Sequence, residues 1–190
     1  MNRTLMITAA CATLATPVLA NEYEPAMKDF LSNEVMEWSS AQVLIEAINE
    51  RNAMTNAYSQ AEIDALDTTW RNEVGTSDSA TINAILDNDA AEFLRMQVEQ
   101  SGGVITEVFI MDAQGLNVAA SALTSDYWQG DEAKHQETYG VGAGAVHFGE
   151  VEFDDSSQTY QGQISMTIED PATGAPIGAL TVGVNAESLF

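Results

Sequence analysis

The sequence predicts an α+β fold in which helices come first and an antiparallel sheet of five strands follows. Up to Gln100, apolar residues recur three, four and seven positions apart, which is typical of amphipathic helices. From Val104 onward, apolar and β-branched residues alternate with polar ones between turn signals, as they do in strands joined by hairpins. A run of helices followed by a run of strands favours helices packed on a single antiparallel sheet.

The first predicted element is a long amphipathic helix over residues 25–54. Its apolar positions are Met27, Leu31, Val35, Trp38, Ile45 and Ile48. This span exceeds the usual length of a globular helix, so we expect it to pack along a partner or across the back of the domain.

Three shorter helices are predicted next. Ser59 and Glu62 have the spacing of a capping box, which begins a helix that ends at Gly75. Cap signals at 77–78 precede a helix over residues 79–86, and a further helix over residues 90–100 stops at the glycines that follow it.

Two hairpins and a last strand make up the predicted sheet. Turn residues at 112–115 and 154–157 close the two hairpins. An insert at 123–144 separates the hairpins, with a short helix within 131–139 and a glycine-rich loop at 140–144. The predicted strands span residues 104–111, 116–122, 146–153, 159–169 and 177–184.

The first twenty residues have the pattern of a secretory signal peptide. Arg3 is followed by an apolar stretch over residues 5–18 and by small residues ending at Ala20. We therefore expect residues 1–20 to be removed and residues 21–190 to form one periplasmic or secreted domain without a membrane span. Cys11 fits either an ordinary signal-peptide residue or a lipoprotein processing site, although the leucine usually found three positions earlier is missing.

Composition excludes several classes of partner. The chain has 29 acidic and 6 basic residues, a net charge of −23, which repels nucleic acid and anionic lipid. Its lysines are Lys28 and Lys134, so no polybasic anchor exists. The acidity fits either a solvated surface suited to a salty medium or a surface that binds cations.

Few residues offer catalytic chemistry. The predicted mature chain has no cysteine, and its histidines are His135 and His147, so thiol nucleophiles and multi-histidine zinc sites are excluded. The loop at 140–144 lacks the lysine of a phosphate loop, and the acidic turn at 154–157 lacks the full spacing of a calcium loop. We expect a protein that is not an enzyme and carries no metal or cofactor.

Residues 124–139 hold the most informative cluster, because large aromatic residues stand beside carboxylates in an irregular segment over the predicted sheet. Aromatic faces and charged acceptors are what a small-ligand pocket requires. Two structural interpretations stay open: Trp128 can plug the sheet, and Asp131 can cap the short helix that follows it.

Three segments, together with the long first helix, resemble a known family. These are 104–115 (VITEVFIMDAQG), 125–132 (SDYWQGDE) and 177–184 (IGALTVGV). They are similar to the extracytoplasmic PAS-like sensor domains called Cache or PDC domains. The resemblance implies a five-stranded antiparallel PAS-like sheet backed by a long helix, with a small ligand between the sheet and its loops. Ligands of the family include amino acids, carboxylates, amines and purines.

Carried over onto this sequence, the resemblance implies a pocket of loop residues that strand residues close. The loop residues are Tyr127, Trp128 and Asp131, flanked by Asp126 and His135, and the strand residues are His147, Tyr160 and Met166. Tyr127 and Trp128 would form an apolar wall. Asp126 and Asp131 would select a cationic or amine-bearing ligand.

These observations predict a non-enzymatic small-molecule sensor that signals to a membrane-bound kinase, cyclase or chemoreceptor. Two alternatives remain open. The first is an interaction protein without a ligand, which dimerises or docks through the helix at 25–54. The second is a module that responds to calcium or another cation.

Overall fold

The computed structural model describes residues 22–76, 79–154 and 159–190. The signal peptide and Cys11 lie outside these residues, as do the cap signals at 77–78 and positions 155–157 of the acidic turn. The described residues form an α+β fold with helices on an antiparallel sheet, which confirms the predicted fold class.

The prediction of one continuous helix over residues 25–54 is wrong, because two helical parts, separated by a break, occupy this range. Helix α1 (Glu24–Phe30), a π-helical turn (Leu31–Val35) and α2 (Met36–Trp38) form its first part. Helix α3 (Gln42–Thr55) begins after a break in which Ala41 takes an extended ψ of 135°. The apolar stripe continues across the break, since the residues on either side of it enter the same core, and periodicity alone therefore did not reveal it.

The next three helices agree with their predictions. Helix α4 (Gln60–Glu73) begins with the predicted capping box, in which Ser59 and Glu62 satisfy each other's backbone amides. Helices α5 (Ala80–Leu86) and α6 (Asp89–Gln100) follow. The side chain of Asn88 accepts a hydrogen bond from the Ala91 amide and caps α6.

Within the described residues, the antiparallel sheet has six strands where five were predicted. The predicted strand at 146–153 is interrupted, so β3 and β4 each pair with β5 along one edge. The strand order is β2, β1, β6, β5 and β3. The strands are β1 (Ile105–Met111), β2 (Asn117–Ala120), β3 (Val146–Phe148), β4 (Glu152–Asp154), β5 (Thr159–Glu169) and β6 (Pro176–Asn185).

Helices cover both faces of the sheet. Apolar residues of α1, α3 and α6 pack on one face, called here the α3 face, against residues such as Ile110, Ile164 and Leu180. On the opposite face, α4 and α5 pack over Phe109 and Met111 near the β1–β2 edge. Residues 121–145 complete this second face, called here the loop face, and include the short helix α7 (Ala133–Gln136).

The turn between β1 and β2 is bound to the end of α3. The buried carboxylate of Asp112 accepts hydrogen bonds from the Thr55 hydroxyl at 2.7 Å and from the Leu116 amide at 2.9 Å. Asn52 accepts a hydrogen bond from the Ala113 amide and donates one to the Ile177 carbonyl. Because these bonds join residues far apart in sequence, they hold α3 in a defined position relative to the sheet.

Candidate functional site

Strand register decides which residues of β5 and its neighbours point toward the loop face. Ile164 and Ile168 of β5 enter the α3-face core, and side chains alternate along a strand. The odd-numbered positions of β5 therefore lie on the loop face. One cross-strand row on that face consists of His147, Ser165, Thr181 and Phe109.

Helix α7 lies over β5 and β6 and is held there by His135. The His135 ring is buried, with Nε2 3.3 Å from the Asp112 carbonyl oxygen and its face stacked on Tyr139 at a centroid distance of 5.2 Å. Burial lowers the pKa of His135, because the charged imidazolium loses its hydration. The neutral ring therefore serves as a packing element that seats α7 on the β1–β2 turn.

Lys134 is the lysine of helix α7. Its ammonium lies 2.9 Å from a carboxylate oxygen of Glu132, 3.2 Å from the Gln129 amide oxygen and 5.5 Å from the centroid of the Phe109 ring. The side chain is only 15% exposed, so its stem packs over the sheet. The positive charge of Lys134 is therefore already paired with Glu132.

A cavity of about 510 Å³ opens between the loop at the start of α7 and the edge of the sheet formed by β4 and β5. Its volume is in the range of small-molecule pockets. Its lining residues are Glu132, Lys134, Gly149, Glu150, Glu152, Phe153, Gln161 and Gln163. We call it the sheet cavity.

Negative charge dominates the sheet cavity. Glu132, Glu150 and Glu152 line it, whereas its basic residue, Lys134, is already paired with Glu132. Phe153 lines the cavity as well, but it is the cross-strand partner of Tyr160, and its ring contacts the Tyr160 ring at 5.3 Å, on the face opposite to Gln161 and Gln163. Carboxylates attract organic cations through charged hydrogen bonds.

Asp126 and Tyr127 lie away from the sheet cavity, near α4. The Asp126 carboxylate accepts a charged hydrogen bond from Arg71 Nε at 3.0 Å. Tyr127 is buried, stacks on Trp70 at 5.4 Å, and its hydroxyl accepts a hydrogen bond from Arg51. Burial raises the pKa of Tyr127 to about 12, because the phenolate would lose its hydration. In this position Tyr127 is a core residue.

Trp128 and Asp131 occupy the start of the loop. The Trp128 indole N–H donates to the Gln114 carbonyl at 2.8 Å, and the ring is partly buried beside the loop-face core. This contact agrees with the interpretation that Trp128 plugs the sheet. Asp131 is exposed, and α7 has no side-chain cap at its N-terminus, which does not support Asp131 as a cap.

The predicted strand residues fall on two faces. His147 is half-buried on the loop face, beside Ser165. Met166 packs against the α3-face core, and Tyr160 has the same parity on β5. Tyr160 and Met166 therefore do not share a face with His147, and we leave both out of the proposed site.

The sheet cavity uses residues that sequence reasoning passed over. Glu132 and Lys134 lie within the aromatic-rich segment, but the resemblance implied a pocket formed by its aromatic residues and by Asp131 instead. Gln161 and Gln163 were detectable in principle, since they alternate with Ile164 and Ile168 along β5. Glu150 and Glu152 carried no signal of their own in a chain this acidic.

No group of three or more histidine, cysteine or acidic residues in 22–76, 79–154 and 159–190 is arranged to hold a metal ion. In the same ranges, no helix combines the length and the apolar character needed to cross a membrane.

No protein-family profile and no curated protein sequence matches this chain. Solved structures do match it. The sensor domain of the Vibrio cholerae histidine kinase DctB matches with a TM-score of 0.43 and 15% identity, over 89% of this chain and 57% of that one. The ligand-binding domain of the Campylobacter jejuni chemoreceptor Tlp3, solved with 4-methylisoleucine, gives 0.42 and 13%, over 90% and 63%.

A third match is the ligand-binding domain of the Pseudomonas aeruginosa amino acid chemoreceptor PctC, solved with GABA, with a TM-score of 0.40 and 14% identity. It covers 86% of this chain and 63% of that one. This chain therefore spans less than two thirds of the length of these three domains.

Proposed function

We propose that this chain is an extracytoplasmic, non-enzymatic sensor domain of the single Cache type that binds a small cationic metabolite in the sheet cavity. The observation that carries the proposal is a cavity of about 510 Å³ between loop and sheet that three glutamates and one lysine line. The resemblance of segments 104–115, 125–132 and 177–184 to Cache domains supports a ligand between the sheet and its loops. The residues that the resemblance implied for the pocket do not line the sheet cavity, so the choice of this cavity comes from its charges.

The ligand class follows from the charges in the sheet cavity. Since Glu132 already compensates Lys134, the carboxylates of Glu150 and Glu152 are available to a positive group. The amide oxygen of Gln163 can accept a hydrogen bond from an N–H group of the ligand. An aliphatic amine or diamine can donate N–H groups to these acceptors, whereas the carboxylates of the cavity would repel a dicarboxylate.

Signalling would use the contacts that hold α7. A ligand that touches Lys134 and Glu132 acts on the helix whose His135 rests on Asp112. Asp112 in turn binds Thr55 near the end of α3. We propose that a shift of α7 alters the seating of α3, and that a membrane-bound sensor kinase, cyclase or chemoreceptor detects that change.

Isothermal titration calorimetry tests the ligand class. We expect 1,4-diaminobutane to bind, butylamine to bind more weakly, and butanoate and butanedioate to give no saturable heat. The double variant Glu150→Gln/Glu152→Gln should bind the diamine at least tenfold more weakly, which corresponds to about 1.4 kcal/mol.

Glu92→Gln/Glu99→Gln is the matched control, because both residues are exposed on α6 and this double variant removes the same two charges outside the cavity. It should leave binding within twofold of the unmodified chain. Amine binding that survives the double variant, or an absence of binding by every amine, would contradict the proposed site.

A second candidate, an interaction protein without a ligand, is favoured by one surface feature. Phe190 is 83% exposed and lies 5.7 Å, ring to ring, from Tyr23. Beside it, Phe30 and Trp38 line a cleft of about 730 Å³ along α1 and α2. Sedimentation velocity over a hundredfold concentration range tests this candidate, since self-association would double the mass and Phe190→Ser would reverse it.

A further inference from the structure

A second cavity, of about 520 Å³, lies between α3 and the α5–α6 junction, beside the outer strand β2. Its lining residues differ from those of the sheet cavity, and we call it the α3 cavity. Val43, Ala47, Ile85 and Val118 give it apolar walls. Arg51 of α3 lines it as well.

The charge of Arg51 is poorly compensated. Its guanidinium donates to the Tyr127 hydroxyl, while its Nε is buried and has no hydrogen-bond partner. Tyr127 does not neutralise it, because a phenol with a pKa near 12 stays uncharged. Within the described part of the chain, Arg51 forms no ion pair with a carboxylate. Arginine in this setting ordinarily pairs with an anion.

The buried carboxylate of Asp112 does not fill this role. Its negative charge helps to raise the pKa of Tyr127. However, its oxygens already accept hydrogen bonds from the Thr55 hydroxyl and from the backbone amides of Gln114 and Leu116. Arg51 therefore has an unused hydrogen-bond donor and an unpaired charge for an anionic group that enters the α3 cavity.

Three carboxylates line the same cavity. Glu46 and Glu50 follow one face of α3, and Asp89 begins α6. All three residues are exposed, and none forms an ion pair in the part of the chain that the structure describes. The α3 cavity thus presents a partly buried cation, an apolar wall and an acidic rim.

We infer that the α3 cavity binds a small zwitterion, with its anionic group on Arg51, its ammonium group on Glu46, Glu50 or Asp89, and its aliphatic chain against the apolar wall. A pure anion would be repelled by the acidic rim. A pure cation would leave Arg51 without an anion. Only a ligand carrying both charges satisfies the two ends together.

Calorimetry with a series of unbranched ω-amino acids, from glycine to 5-aminopentanoate, tests this inference on the whole chain. One member of the series should bind saturably, and pentanoate and pentylamine, which each carry a single charge, should bind at least tenfold more weakly. Equal binding of the zwitterion and the two single-charge compounds, or no binding of any member, would overturn the inference.

Variants locate the site. Arg51→Gln should weaken zwitterion binding at least tenfold, whereas Arg95→Gln, which removes the same charge from an exposed position on α6, should leave it within twofold. Because Arg51 also contacts Tyr127, Glu50→Gln provides an independent test at the exposed rim. Glu50→Gln should weaken zwitterion binding several-fold and should not weaken pentanoate binding. Unchanged zwitterion binding in both Arg51→Gln and Glu50→Gln would refute the site.

The two cavities are separable by experiment. Glu150→Gln/Glu152→Gln, the variant expected to weaken diamine binding to the sheet cavity, should leave zwitterion binding unchanged. Competition between 1,4-diaminobutane and the zwitterion for a single site would overturn the assignment to the α3 cavity without affecting the proposal for the sheet cavity.

Discussion

The carboxylate of Asp67 on α4 accepts a hydrogen bond from the backbone N–H of Tyr127 at 3.0 Å, and the same oxygen accepts a second from Trp128 at 3.2 Å. Its other oxygen pairs with Arg71, which also contacts Asp126. A single buried acid on a helix thus determines the path of the aromatic pair in the loop. Such a buried carboxylate stabilises the fold because its partners would otherwise lose their hydrogen bonds away from water.

Replacing Asp67 should therefore destabilise the domain. We expect Asp67→Ala to lower the free energy of unfolding by about 2–4 kcal/mol, since two backbone amides and Arg71 lose a charged partner. Urea denaturation followed by tryptophan fluorescence measures this change. Asp64→Ala, three positions away on the exposed side of α4, should lower it by less than about 1 kcal/mol. Equal losses in the two variants would show that Asp67 does not organise the loop.

The hydroxyl of Thr55 should stabilise the contact between α3 and the β1–β2 turn. Thr55→Val keeps the side-chain shape but leaves the buried Asp112 with one donor fewer, so we expect a loss of about 1–3 kcal/mol in unfolding free energy. Thr68→Val is the control. The Thr68 hydroxyl lies within hydrogen-bond distance of the carbonyl four residues earlier, as the Thr55 hydroxyl does, but Thr68 is exposed and, among the described residues, contacts no buried carboxylate. It should change stability by about 0.5 kcal/mol or less in denaturant titrations.

The lowered pKa of His135 makes stability depend on pH. The imidazole takes up a proton less readily in the folded chain than in the unfolded chain, whose histidine titrates near 6.5. Its contribution to stability is therefore present above that pH and is lost as the pH falls below it, because the unfolded state then binds the proton more readily.

Two measurements check this prediction. The ring proton resonances of His135 should titrate with a midpoint below 6.5. Between pH 8 and pH 5, His135→Gln should lose less unfolding free energy than the unmodified chain. A midpoint above 6.5, or an identical pH dependence in the variant, would contradict the burial of a neutral ring.

Gly115 ends the β1–β2 turn with a φ of +80°, and a Cβ atom there would overlap the backbone of Gly130 in the loop. Gly115→Ala should therefore destabilise the domain through backbone strain and through displacement of the loop, by about 2–4 kcal/mol in total. Gly174→Ala isolates the first effect, since Gly174 has a φ of +70° but open space around it, and should cost about 1–2 kcal/mol. Thermal unfolding of the two variants provides the comparison.

Much of the fold could be read from local patterns. The capping box at Ser59 and Glu62 and the turn at 112–115 involve residues close together in the chain, and both occur where they were predicted. The switch from helix to strand near residue 104 was equally visible, because side-chain periodicity changes there from that of a helix to that of a strand.

The site was harder to predict, because it depends on which residues of distant segments face one another. Tyr127 belongs to the core beside Trp70 rather than to the sheet cavity, and Asp126 pairs with Arg71. Both partners lie on α4, more than fifty residues earlier, and no local pattern in the loop announces them. Aromatic and acidic residues in one segment were therefore compatible with a core plug or with a pocket until the packing of α4 was known.

By itself, the sequence determined the α+β order of elements, the strong negative charge and the capping box at Ser59 and Glu62, because composition, periodicity and capping depend on neighbouring residues. Tertiary structure decided the break before α3 and the interrupted edge strand. It also decided that Glu132, Lys134 and Gln163 line the sheet cavity, whereas Tyr127 and Met166 do not. Strand parity, register and burial set these outcomes, and each arises only when segments far apart in the chain pack against one another.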